Sequence, residues 1–176
     1  MNRKTYQLSL LFLVAVVMLT SLLASPVAAD GNPSAAGHGN LISFGELRTF
    51  SFTSVQHADG TVTGEGEVFN RGLGTLAHWK IDCLKFEGEN RVIASGLITQ
   101  SSDPFLVGRI FVFGAEDNGE GNNASTDRIT TMPDYAPPKS CNEFTFVGNT
   151  LRDVNDLSVV VRTLNPILAG NIQVQP

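Results

Sequence analysis

Cysteine, tryptophan and histidine are scarce in this 176-residue chain, which has two, one and three of them. Two cysteines exclude a disulfide-dense miniprotein. His38, His57 and His78 show no ligand-type spacing to Cys83 or Cys141, so a structural zinc site is excluded as well. Lys and Arg number 12 against 17 Asp and Glu, without a basic cluster. That balance excludes nucleic acid, where phosphate neutralisation dominates binding, and it disfavours anionic membrane surfaces on the same electrostatic ground. Catalytic signatures are missing too: there is no G-x-S-x-G elbow, H-E-x-x-H, P-loop or dinucleotide fingerprint. His57 lies beside a turn and His78 on a polar strand face, so neither is marked as a base. The sequence points away from an enzyme. No amphipathic helix of three turns is present either, and only Leu151 to Asp156 has room for a single helical turn.

Long apolar runs are limited to one. Leu8 to Leu23 is almost unbroken, preceded by Asn2-Arg3-Lys4 and followed by Ser25-Pro26 and the small residues Val27-Ala28-Ala29. This is the layout of a secretory signal peptide over residues 1–29, cleaved after Ala29. The competing reading is an uncleaved membrane anchor, since the run is nearly long enough to span a bilayer core; Pro26 and the small residues behind it favour cleavage. No cysteine lies near the cleavage site to carry a lipid. The expected location is secreted, either periplasmic or extracellular, with no membrane span after cleavage. Arg3 and Lys4 are the only charged side chains of the pre-sequence, so processing takes the net charge from −5 to −7.

Export sets the redox compartment. A disulfide between Cys83 and Cys141 is the expectation there, and two separately buried thiols are the alternative. In the chain-entropy model, closing that loop stabilises by about 4 kcal/mol.

Residues 30–176 have the length of one domain with a real core. Asp30 to Gly39 (DGNPSAAGHG) reads as a flexible leader, and residues 40–176 as a single β-domain. Short strand-like runs then alternate with turn signals: Leu41 to Phe44, Leu47 to Val55, Thr61 to Phe69, Thr75 to Leu84, Arg91 to Thr99 and Phe105 to Ala115. Asp59-Gly60 is a strong hairpin signal. Gly64 and Gly66 on one strand face indicate close backbone approach or curvature. Asp127 to Thr131, Phe144 to Val147, Leu157 to Leu164 and Asn171 to Gln175 complete the series, and the proline-rich Met132 to Ser140 is expected to stay irregular. Short local turns favour antiparallel pairing. The expected fold is all-β, a single antiparallel meander closing into a small barrel, with a β-sandwich as the alternative.

Two segments are candidate sites. Glu116 to Asp127 (EDNGEGNNASTD) offers Glu116, Asp117, Asn118, Glu120, Asn122, Asn123 and Asp127 as oxygen ligands for calcium, although the spacing matches neither an EF-hand nor a glycine-rich nonapeptide repeat. A solvated hairpin loop is the plainer reading. Asn123-Ala124-Ser125 also fits an N-glycosylation acceptor. The second candidate is the barrel interior, where Phe50, Phe52, Trp79, Phe111 and Phe113 either line a cavity or simply fill the core; filling is favoured.

Gly45 to Phe52 (GELRTFSF), His57 to Gly64 (HADGTVTG), Ile81 to Leu84 (IDCL), Ser101 to Pro104 (SSDP) and Asp117 to Gly121 (DNGEG) together resemble a group of small exported bacterial proteins without established activity. The resemblance covers about residues 37–131. It implies a secreted β-domain and carries over no catalytic residue. The leading expectation is an exported, non-catalytic β-domain acting as a binding or interaction module. The alternatives are a calcium-stabilised extracellular domain built on the 116–127 loop, and a carrier or enzyme with a small ligand inside the barrel.

Overall fold

The computed structural model describes residues 31–121, 124–131, 134–135 and 139–176; the pre-sequence expected at residues 1–29 and the glycosylation candidate Asn123 lie outside the described residues. Alternating apolar and polar residues become strands along almost the whole described chain: β1 Ser34–Ser43, β2 Glu46–Gln56, β3 Val62–Asn70, β4 Thr75–Phe86, β5 Arg91–Ser101 and β6 Ile110–Glu116. There follow β7 Arg128–Thr130, β8 Asp134–Tyr135, β9 Phe144–Val147, β10 Thr150–Asp153, β11 Asp156–Pro166 and β12 Ala169–Gln175. The helical elements among the described residues are two short 3-10 turns, Pro104–Leu106 and Cys141–Glu143. Every strand pair is antiparallel, in the order β12-β1-β2-β3-β4-β5-β6-β7-β11-β10-β9, with β8 also on β6. The ladder begins at β12 and ends at β9, so backbone pairing does not close the sheet.

Two apolar cores flank β6, whose residues are buried on both faces. Phe111, Phe113 and Ala115 face a larger core with Phe50, Phe52, Trp79 and Ile129, while Ile110 and Val112 face a smaller one with Phe144 and Leu151. This explains why β6 reads as a continuous apolar run rather than an alternating one. The Cys83–Cys141 disulfide, with Cα atoms 5.8 Å apart, joins β4 to the chain that enters β9 and so ties the smaller core to the main sheet. Cys141 is fully buried, and its N–H donates to the Ser95 hydroxyl at 3.0 Å.

Four local expectations are corrected. The leader at residues 30–39 is mostly strand: Ser34 to Asn40 pairs with β12 on one side and with β2 on the other. Its glycines are sites of close approach, since a Cβ on Gly37 would lie 2.7 Å from a Phe52 ring carbon. The run from Phe105 becomes strand only at Ile110. Before it, the Asp103 carboxylate accepts from Phe105 N, Pro104 fixes the first turn, and Gly108 takes a positive φ. Thr150–Asp153 forms β10 rather than part of a helical turn. Within the proline-rich excursion, Asp134 and Tyr135 pair with Phe111 and Ile110 of β6.

Candidate functional site

Consecutive antiparallel hairpins place the β1–β2, β3–β4 and β5–β6 connections at one end of the sheet and the β2–β3, β4–β5 and β6–β7 connections at the other. The two ends differ in chemistry. At the first, each connection carries a large exposed apolar side chain: Phe44 (78% exposed), Leu73 (70%) and Phe105 (86%). At the second, the connections present His57-Ala58-Asp59-Gly60, Gly88-Glu89-Asn90 and the acidic loop that begins at Asp117. Isolated exposed apolar residues are ordinary, but their concentration on three turns of one end is not.

The Phe44 end encloses a cleft of about 250 Å³. Leu41, Phe50, Val68, Leu73, Leu106 and Phe111 supply its apolar walls, and Arg48, Asn70, Asp103 and Thr131 its polar groups. Arg48 is the third residue of β2, with its side chain mostly covered. Its Nη2 lies 3.8 Å from Glu46 Oε2, and its buried Nε has no hydrogen-bond partner among the described residues. Burial holds the Arg48 guanidinium below its ordinary value; Glu46 pulls it back up and Arg162 pushes it further down. Both guanidiniums rest against the same ring, with Arg48 and Arg162 each 5.9 Å from the Phe44 centroid. Arg162 Nε is likewise buried without a partner among the described residues. Glu46 itself accepts from Asn70 Nδ2 at 2.6 Å. Arg162 Nη1 donates to Val161 O at 2.6 Å, so of the two cations Arg48 is the one beside the Glu46 carboxylate. Such a concave, mostly apolar site with few convergent polar groups is the usual form of a binding site.

Five of the seven calcium candidates lie among the described residues, and there they contact protein groups. Glu116 is buried and paired with Arg91, at 2.7 Å from Nη2 and 3.0 Å from Nε. Asp127 is buried and accepts from Asn118 N and from Ile172 N of β12, both at 2.8 Å. Asp117 accepts from Gly119 N at 2.8 Å and from Val174 N of β12 at 3.1 Å. Glu120 accepts from Asn171 Nδ2, and Asn118 donates to Thr126 O. These oxygens are engaged by protein donors, and no group of three or more His, Cys, Asp or Glu is placed to hold a metal ion among the described residues. Asn122 and Asn123 lie outside the described residues. The loop instead fastens β12, whose free edge would otherwise present unpaired N–H groups.

The aromatic interior is filled. Phe52 packs on Phe113 at 4.9 Å between centroids and Trp79 on Phe111 at 5.3 Å, all of them buried. Among the histidines, His57 Nε2 meets Thr63 Oγ1 at 2.7 Å and His78 Nδ1 lies 3.4 Å from Glu67. The second pair sits on an open polar trough of about 470 Å³ across the outer face of β2 to β5. Both partners are well exposed there. A general base tuned by burial has no setting there.

Phe44, Arg48, Leu73, Phe105 and Arg162 were not legible as a site in the sequence. One signal was present: a large hydrophobic residue inside each turn segment, as Phe44-Gly45, Gly72-Leu73-Gly74 and Pro104-Phe105. Comparison with protein-family models, curated proteins and solved structures finds no match for this chain. No helix among the described residues is long and apolar enough to cross a membrane.

Proposed function

We propose that this chain is an exported, non-catalytic β-barrel module that binds its partner through the Phe44 end. One observation carries the reading: Phe44, Leu73 and Phe105 stand exposed on the three turns of one end, beside a cleft lined by a half-buried Arg48 whose Nε has no partner among the described residues. Barrel closure is supported by the seam, where the Asp117 and Asp127 carboxylates take the N–H groups of Val174 and Ile172 that no neighbouring strand receives. Export is supported by the layout of residues 1–29 and by the Cys83–Cys141 disulfide, which suits an oxidising compartment.

Fluorescence titration with 1-anilinonaphthalene-8-sulfonate, an apolar anion, tests the binding end. The wild type is expected to bind it, and the triple variant Phe44→Asn/Leu73→Ser/Phe105→Ser to lose most of the signal while keeping its melting temperature. Equal binding by the two proteins would remove the Phe44 end as the binding face. The mass of the exported product tests export, with Asp30 expected as its first residue.

A further inference from the structure

Resting on that reading of the Phe44 end, we infer that its partner is the surface of an anionic lipid bilayer, on which the three apolar tips insert and the arginines meet phosphate. The tips are large and nearly fully exposed. They stand on separate turns around an open cleft rather than on one flat face, a form that suits a deformable medium. Phe44 carries further information. It occupies the left-handed region at φ 53°, followed by Gly45 at 79°, in the tight turn joining Ser43 to Glu46. Such a turn favours Asn-Gly, and a bulky aromatic there is strained. Strain of this kind collects where a side chain is needed for function.

Charge selects the kind of surface. Arg48, Arg71 and Arg162 gather at this end, with Arg71 beside Leu73 and the other two against Phe44. Glu46, 3.8 Å from Arg48, and Asp103 accompany these three arginines and leave a smaller positive surplus there, while Asp59, Glu87, Glu89, Asp117 and Glu120 lie on the opposite connections. Whole-chain charge therefore misjudges this face. β2 has 11 residues, which at ~3.3 Å per residue separate its ends by roughly 35 Å. That is several times the ~8 Å over which salt screens charge, so the distant acids barely weaken attraction to lipid phosphate. A second copy of the chain fits this face poorly, because a two-fold contact would stack the same arginines on each other.

The test uses residues 30–176, which contain every strand found among the described residues, both cores and the disulfide. Its probes are vesicles of phosphatidylcholine with phosphatidylglycerol, and of phosphatidylcholine alone. Flotation is expected with the anionic vesicles, weakening as salt rises. Each of Arg48→Gln, Arg71→Gln and Arg162→Gln is expected to lower partitioning roughly fivefold. Phe44→Asn/Leu73→Ser/Phe105→Ser should abolish flotation with an unchanged melting temperature. Flotation that survives the triple variant overturns the inference, as does equal affinity for both vesicles. Absence of flotation while the naphthalene sulfonate still distinguishes wild type from triple variant removes the lipid surface and leaves the binding end standing. A dimer in light scattering that the triple variant dissociates reassigns the face to self-association.

Discussion

At the scale of single residues, stability and function pull Phe44 in opposite directions. The left-handed conformation at φ 53° costs about 1–2 kcal/mol for a bulky residue. The two guanidinium contacts to its ring return about 0.5–1 kcal/mol each at an exposed site. Phe44→Asn relieves the first and forfeits the second, so calorimetry should find the melting temperature held or raised by up to ~3 °C. A fall of several degrees would mean that the ring is retained for packing. Gly66 is the opposite case. A Cβ there would collide with the Trp79 ring, which is 1% exposed and fills the core beneath β3. Gly66→Ala is expected to cost about 1–3 kcal/mol in urea unfolding, the usual penalty of overpacking. That face of β3 was legible in the sequence, because Val62, Gly64, Gly66 and Val68 alternate with Thr63, Glu65 and Glu67. Phe44 was not, since its exposure depends on which hairpins share an end.

At the scale of elements, alternation recovered most of β2 to β5 because each of these strands has one apolar and one polar face, and that period is written in the residues. It failed on the first part of β1, where Ala35, Gly37 and Gly39 make the inward face and no large side chain marks it before Leu41. Small residues there reflect the Phe50 and Phe52 rings occupying the space, a tertiary fact that composition presents as flexibility. The acidic loop shows a related limit: its carboxylates read as oxygen ligands in the sequence, and the sequence does not show that β12, 45 residues along the chain, donates an N–H group to Asp127. Asp127→Ala strips two charge-assisted hydrogen bonds, one from the buried Ile172 N–H and one from the half-buried Asn118 N–H, and is expected to cost ~3 kcal/mol. Melting curves with calcium and with chelator should superimpose for the wild type; a calcium-dependent rise of several degrees would return the loop to metal binding. Reduction of Cys83–Cys141, which spans 58 residues, releases the smaller core from β4 and should lower stability by about 2–5 kcal/mol.

At the scale of the whole molecule, the acid-rich end sets the response to pH. Glu87 follows β4 and reaches across to β9, with Lys85 Nζ at 2.8 Å, Thr145 Oγ1 at 2.8 Å and Phe146 N at 2.9 Å. Burial alone would raise its pKa, but these donors outweigh it and hold Glu87 below the ordinary carboxylate value. Hydrogen bonds from Thr61 lower Asp59, and those from Lys139 and Asn155 lower Asp153. A carboxylate with a depressed folded pKa contributes its stabilisation above the unfolded value and loses it as pH falls through the folded one. Asp82 acts in the reverse sense, because burial raises it and its protonation favours the fold. With several depressed groups against one raised group, the melting temperature should hold above about pH 5 and decline steadily below it. Glu87→Gln keeps the shape but cannot take up a proton, so its decline between about pH 5 and pH 3 should be shallower than that of the wild type. Parallel decline in the two proteins would show that the Glu87 contacts between β4 and β9 carry no share of the acid sensitivity, and would place it on the other depressed carboxylates, Asp59, Asp153 and Asp156.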